Sequence, residues 1–186
     1  MKSPQKFTIF HRILHWLMAF AMPVLFITGF LRMYWMNKNE ITGIIASKTS
    51  AIPKELMTDI AKTIREPMWQ WHEIFANVMI VAFLARILYM LTKGIRFPNP
   101  FKSNQPLKER LQGFTYVYFY LFVFIAAITG ICIEKEFFTQ WKDGIETVHK
   151  WGVYAFPIFI VFHLGGIAIA EFSSKKGIAS KMIGGD

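Results

Sequence analysis

The sequence predicts an all-α integral membrane protein, a four-helix bundle with both termini in the cytoplasm. Three observations carry that prediction. Hydrophobic residues make up 54% and aromatics 17% of the 186 residues, more apolar surface than one soluble domain of this length can hide. Four runs are long and apolar enough to cross the hydrocarbon of a bilayer, which takes roughly 20 residues of helix. The basic residues gather between those runs in an uneven pattern that assigns sides.

The spans fall at about 13–31, 74–91, 114–133 and 151–170. The first follows a charged amino terminus, as a secretion signal does. Its length, its aromatic residues, its two histidines and its want of a small-residue cleavage site make it a retained helix instead. Pro23 and Pro157 lie inside spans one and four, where neighbouring helices re-satisfy the freed carbonyl and a kink is expected. Between spans one and two lies an outer loop, 33–68. Within it, from Pro53 to Glu66, Leu56, Ile60 and Ile64 recur every four residues with Lys54, Glu55, Asp59 and Lys62 between them. This pattern predicts a short amphipathic helix on the outer surface, docking a partner or capping the bundle. Residues 1–186 thus read as one transmembrane domain.

Orientation follows from Lys and Arg. Lys2, Lys6 and Arg12, then Lys93, Arg96, Lys102, Lys108 and Arg110, then Lys175, Lys176 and Lys181 put eleven cations on one side. The other side has eight, spread over a longer loop and balanced by acids such as Glu134, Glu136, Asp143 and Glu146. The positive-inside bias therefore assigns both termini to the cytoplasm. Five of the six tryptophans, Trp35, Trp69, Trp71, Trp141 and Trp151, fall near the outer ends of the spans, at the level where an indole sits half-wet. Because the net charge of +9 is divided among these short clusters, it marks loops at a membrane and not a nucleic-acid surface. The single cysteine, Cys132, excludes an intrachain disulfide and a thiolate zinc site. Without a C-x-x-C-H segment, any haem is held by coordination alone.

All five histidines, His11, His15, His72, His149 and His163, lie in or at the edge of spans, where ionisable groups are costly and usually functional. His149 and His163 are 14 positions apart, about 40° short of four full helical turns, so they share a face about 21 Å apart along the axis. Depth then predicts two pairs: His72 with His149 at the outer level, and His15 with His163 at the inner level. Facing imidazoles from neighbouring helices are what a b-type haem takes as axial ligands. Six-coordinate iron favours electron transfer, and two such haems stacked across the bilayer would form a wire. His11, one turn before His15 on the same face, competes with it as a ligand, although its depth places it before the apolar run. Its other uses are contact with a propionate or a quinone, or a plain place in the membrane interface.

Haem propionates need cations when partly buried. Arg86 follows His72 by the same 14-residue step that separates His163 from His149, and an arginine so deep in a span calls for a partner. It is expected to serve the inner haem, with Arg12 and Lys150 as further cofactor-binding candidates. Gly29 and Gly130 each close an Ile-Thr-Gly segment. They permit close approach of a macrocycle or a helix, and the echo hints that spans one-two and three-four are distant parallel repeats.

At this point the chain resembles the bacterial cytochrome b561 family and the related cytochrome b subunits of nickel-iron hydrogenases and formate dehydrogenases. The likeness rests on Arg12-Ile-Leu-His15-Trp16-Leu17 opening span one and Ile27-Thr28-Gly29 closing it. It continues with Trp71-His72-Glu73 followed by Arg86, and with the His149 and His163 pair. The resemblance implies two bis-histidine haems b on His15, His72, His149 and His163, and exchange of electrons between membrane quinone and an acceptor or partner at one surface. The outer loop is longer than in small stand-alone members, which favours a subunit that docks a periplasmic redox protein or a dehydrogenase or hydrogenase subunit.

The expected function is therefore electron transfer between the quinone pool and a periplasmic partner, by a multi-pass protein of the bacterial cytoplasmic (inner) membrane. It would act as the electron-transfer subunit of an oxidoreductase. The alternative is a stand-alone quinol-dependent reductase of a small diffusible oxidant. A metal or proton path through the histidines ranks last, because the span interiors carry no carboxylate.

Overall fold

The computed structural model describes residues 7–95, 97–102, 104–172 and 177–184. Of the cations used to assign sides, Lys2, Lys6, Arg96, Lys175 and Lys176 lie outside them. Among the described residues every regular element is a helix.

Helix α1 (Ile9–Phe30) begins where the Thr8 hydroxyl accepts the His11 N–H at 3.2 Å, which satisfies one of the donors a helix start leaves open. It carries Pro23 and widens into a π turn over Leu31–Trp35, closed by Met36 N–H to Leu31 O at 2.7 Å. Helix α2 (Lys38–Lys48) is capped by the Asn37 side chain, which accepts from Glu40 N–H at 3.0 Å. Helix α3 (Lys54–Lys93) stops at Gly94. The left-handed φ of 62° there lets Ile95 N–H reach back to Met90 O at 3.0 Å, a glycine stop that leaves few carbonyls open.

Helix α4 (Leu107–Glu134) follows Pro106 and leads through a tight connection, with φ of 52° at Glu136 and 56° at Phe138, into α5 (Lys142–Lys150). Trp151 joins α5 to α6 (Gly152–Glu171) with φ −61° and ψ −17°. The chain stays right-handed through this junction, so His149 and His163 stand on one nearly continuous rod. A short α7 (Ile178–Ile183) folds back on α1, where its carbonyls at Ile183 and Met182 accept from Arg12 Nη1 and Trp16 Nε1, each at 3.2 Å. The Glu171 carboxylate accepts from Gly177 N–H and Ala179 N–H at 2.8 Å and so ties the start of α7 to the end of α6.

Four helical stretches are long and apolar enough to cross a membrane: Ile9–Trp35, Lys54–Lys93, Leu107–Glu134 and Thr139–Glu171. They form an antiparallel bundle in which α1 packs against α3 and α6, and α4 against α6 and α5. The core is one cluster of Leu14, Met18, Ala21 and Met22 on α1, Met79, Ala82 and Phe83 on α3, Phe119 and Val123 on α4, and Phe156 and Phe159 on α6. On α1 these recur at the spacing of one helical face. Outward positions are as apolar as inward ones: Val81 is 67% and Val161 70% exposed. Such a surface demands lipid. His15, the first residues of α1 and α7 share one end of the bundle, called here the terminal end. His72, His149 and α2 mark the far end.

The structure revises the segment 33–68 in two ways. The stretch expected as a separate surface helix is the first third of α3, continuous through Pro67 into the span. At 1.5 Å per residue the whole helix is about 60 Å long, twice the hydrocarbon thickness, so it stands out from the bundle. Its buried side is also not the expected stripe: Met57 and Ala61 are buried, while Leu56 and Ile64 are exposed. Helix α2 packs against α3, and which side of a helix is buried depends on what lies against it and not on its apolar stripe alone. Met57, Ala61, Arg65, Met68 and His72 follow at helical spacing, so this face leads straight to the far-end histidine.

Candidate functional site

At the terminal end, His15 from the second turn of α1 faces His163 of α6, with ring centroids 6.1 Å apart and planes at 43°. Phe159, one turn before His163, stacks on it at 5.2 Å and 18°. Trp16 meets His15 edge-on at 5.6 Å. His11 turns elsewhere: it stacks on Phe7 at 5.1 Å and meets the edge of Tyr89 at 6.0 Å. Arg86 of α3 is only 7% exposed. Its Nε donates to the Tyr120 hydroxyl at 2.9 Å, and that hydroxyl donates to Met90 Sδ at 3.0 Å. Its Nη1 is buried with no partner among the described residues. The guanidinium lies within electrostatic reach of His11, His15 and His163.

At the far end, His72 of α3 faces His149 of α5, with centroids 6.2 Å apart and planes at 73°. Each ring is held at Nδ1. The Thr28 hydroxyl of α1 lies 2.9 Å from His72 Nδ1, and the Thr129 hydroxyl of α4 lies 3.1 Å from His149 Nδ1, which also lies 3.1 Å from Ala126 O. Trp69 stacks on His72 at 6.0 Å and 8°, and the Arg32 guanidinium sits 4.4 Å over Trp69. A cavity of about 870 Å³ opens between the helices here, lined by Thr28, Gly29, His72, Gly130 and His149. Its mouth carries Arg32, Lys38, Arg65, Lys135 and Lys150 against Glu73, Glu134 and Glu146. Cations therefore dominate the mouth, and Arg65 Nε is buried without a partner among the described residues.

A metal–imidazole bond is about 2 Å, so two imidazoles on opposite sides of one metal hold their ring centroids about 6 Å apart. Both histidine pairs stand at that separation. Two ligands are too few for a bare ion, which takes four or more. Among the described residues no group of three or more His, Cys, Asp or Glu side chains could hold one. Two facing imidazoles are instead the complement of a porphyrin, which supplies the other four nitrogens.

Of the remaining sequence candidates, Arg12 donates from Nη1 to the carbonyl end of α7, a favourable place for a cation, and its Nε is buried without a partner among the described residues. Lys150 lines the far-end cavity while paired with Glu146 at 2.9 Å. Sequence reasoning missed Thr28, Thr129, Arg32 and Arg65 at the far end and Tyr120 at the terminal end. The repeated Ile-Thr-Gly is the available signal for the two threonines, whose hydroxyls lie beside the histidines as its glycines do.

Comparison with known proteins supplies the family. The family model described as prokaryotic cytochrome b561 matches residues 6–185. Among curated proteins, the chain is 23% identical to a probable Ni/Fe-hydrogenase B-type cytochrome subunit of Bradyrhizobium diazoefficiens, over 94% of this chain and 82% of that one. No solved structure matches the chain significantly. With nearly its whole length matched, the chain belongs to the prokaryotic cytochrome b561 family, multi-pass bacterial membrane proteins that carry b-type haem in electron transfer.

Proposed function

We propose that the chain is a two-haem b-type cytochrome of the bacterial cytoplasmic (inner) membrane, passing electrons between the quinone pool and a redox partner docked at the far end. The observation that carries this reading is the pair of facing imidazoles at each end of one bundle, His15 with His163 and His72 with His149. Each pair would hold one haem b, whose iron supplies one-electron chemistry when bound. His15 with His163 and His72 with His149 would hold it from neighbouring helices. Arg86 offers a buried positive charge with a free donor to an anionic group at the terminal end, which suits a propionate. Arg65, with its buried unpartnered Nε, does the same at the far-end mouth, where Arg32 also lines the cavity. Met22, Met79, Phe83, Phe119 and Phe156 exclude water between the two levels.

The partner we infer is a periplasmic oxidoreductase subunit of the hydrogenase or dehydrogenase kind. The support is twofold: the name of the Bradyrhizobium relative, and a far end where α2 and the projecting third of α3 present an extended surface. With both termini in the cytoplasm, that surface faces the periplasm. The stand-alone reductase of a small oxidant gains nothing from such an extension and stands second.

The deciding experiment is a reduced-minus-oxidised spectrum of the purified chain with pyridine haemochrome quantification. Two low-spin b haems per chain are expected. One haem would remove one histidine pair from the reading, and none would sink it.

A further inference from the structure

We propose that Thr28 and Thr129 are paired positioning residues. They hold His72 and His149 in the same tautomer and lower the reduction potential of the haem at the far end. The proposal rests on the two-haem reading above.

The proton bookkeeping at both threonines is closed by the backbone. The Thr28 hydroxyl is 2.7 Å from Val24 O and 3.1 Å from Leu25 O, and a carbonyl can only accept. The single hydroxyl proton therefore goes to the carbonyls, and toward His72 Nδ1 at 2.9 Å the oxygen can only accept. His72 must carry its proton on Nδ1, which leaves the lone pair of Nε2 free. Thr129 repeats the arrangement one motif later, with Ile125 O at 2.7 Å and Ala126 O at 3.2 Å taking its proton. His149 Nδ1 has two neighbours, the Thr129 oxygen and Ala126 O, both at 3.1 Å. Since the carbonyl cannot donate, Nδ1 again carries the proton.

The two halves of the far-end site are thus built from one local pattern. Ile27-Thr28-Gly29 on α1 meets the histidine of α3, and Ile128-Thr129-Gly130 on α4 meets the histidine of α5. The glycine makes the room in the second motif, where a Cβ at Gly130 would stand 3.2 Å from His149 Cε1, while one at Gly29 would meet His72 Cε1 at an ordinary 3.8 Å. Nothing similar holds the other pair. Among the described residues, His15 and His163 have ring contacts with Trp16 and Phe159 and no hydrogen bond at a ring nitrogen.

An acceptor on the distal N–H fixes ring orientation and raises the basicity of a ligating imidazole. A more basic ligand favours the oxidised, more positive metal. Two such acceptors at the far end and none at the other make the far-end haem the one whose potential the threonines depress.

The test is a potentiometric titration of the purified two-haem protein, resolved into its two components, alongside Thr28→Val, Thr28→Ser and Thr129→Val. Valine keeps the shape and removes the hydroxyl, and serine keeps the hydroxyl. Thr28→Val is expected to shift one component upward by about fivefold in the reduction equilibrium, about 40 mV at about 59 mV per tenfold for one electron. The second component stays in place. Thr129→Val should shift the same component less, since Ala126 O still accepts from His149. Serine should restore the native value. Loss of one haem in the valine variant with retention in the serine variant supports the same role. An unmoved potential in Thr28→Val at full haem content overturns the proposal, as does a serine variant that behaves like valine. A wild-type chain holding fewer than two haems instead overturns the two-haem reading itself, before any variant is compared.

Discussion

Arg86 donates from Nε to the Tyr120 hydroxyl at 2.9 Å, while its Nη1 lies buried with no acceptor among the described residues. The two residues stand on α3 and α4, so the contact fixes a positive charge between helices and beside the His15–His163 pair. A buried cation left half-satisfied is expensive, and an anionic group at that end would complete it.

Arg86→Gln therefore should lower the potential of the terminal-end haem, by about tenfold in its reduction equilibrium, or about 59 mV. A fixed cation favours the reduced, less positive metal, so its removal favours the oxidised one. Arg86→Lys should recover part of the shift and Tyr120→Phe should cause a smaller one. Redox titration reads all three, and an unchanged potential in Arg86→Gln would assign the arginine to packing alone.

Haem content separates the ligands from their neighbour. His15→Ala and His163→Ala should each leave one haem per chain, and His72→Ala and His149→Ala should each leave the other one. His11→Ala should keep both, because His11 faces Phe7 and Tyr89. Pyridine haemochrome assay gives the counts, and a lost haem in His11→Ala would move the ligand one turn toward the amino terminus.

Two glycines are expected to resist substitution for different reasons. At Gly113 an added Cβ would run into Pro98 O. That neighbour is backbone and cannot swing away, so Gly113→Ala should cost about 1–3 kcal/mol, visible as a lower thermal midpoint in detergent with both haems retained. At Gly130 the contact is with the His149 ring. Gly130→Ala should therefore lower far-end haem occupancy, whereas Gly29→Ala, with a looser contact, should be close to native.

Sidedness is open to direct labelling. In a Cys132→Ser background, Lys102→Cys between α3 and α4 and Lys48→Cys at the end of α2 are both on exposed residues. A membrane-impermeant maleimide should label position 48 in right-side-out vesicles and position 102 only in inverted ones. The reverse pattern would turn the molecule over and move the partner surface to the cytoplasm.

What the sequence determined by itself is whatever depends on local periodicity. Run length gave the four membrane-crossing stretches, and helical phase with depth gave the pairing of His15 with His163 and of His72 with His149, because a helix converts spacing into height and direction. Tertiary structure decided whatever depends on which helix lies alongside. Thr28 and His72 are 44 positions apart, and no spacing rule joins a hydroxyl on one helix to a ring on another. The π turn after α1 carries Arg32, which sits over Trp69, and α7 brings the Ile183 carbonyl to Arg12 Nη1 across 171 positions. Packing in the bundle buries Met57 and Ala61 of α3 and leaves Leu56 and Ile64 exposed. Each of these depends on a neighbour's position, and a neighbour's position is set by packing the whole bundle and not by any one segment of it.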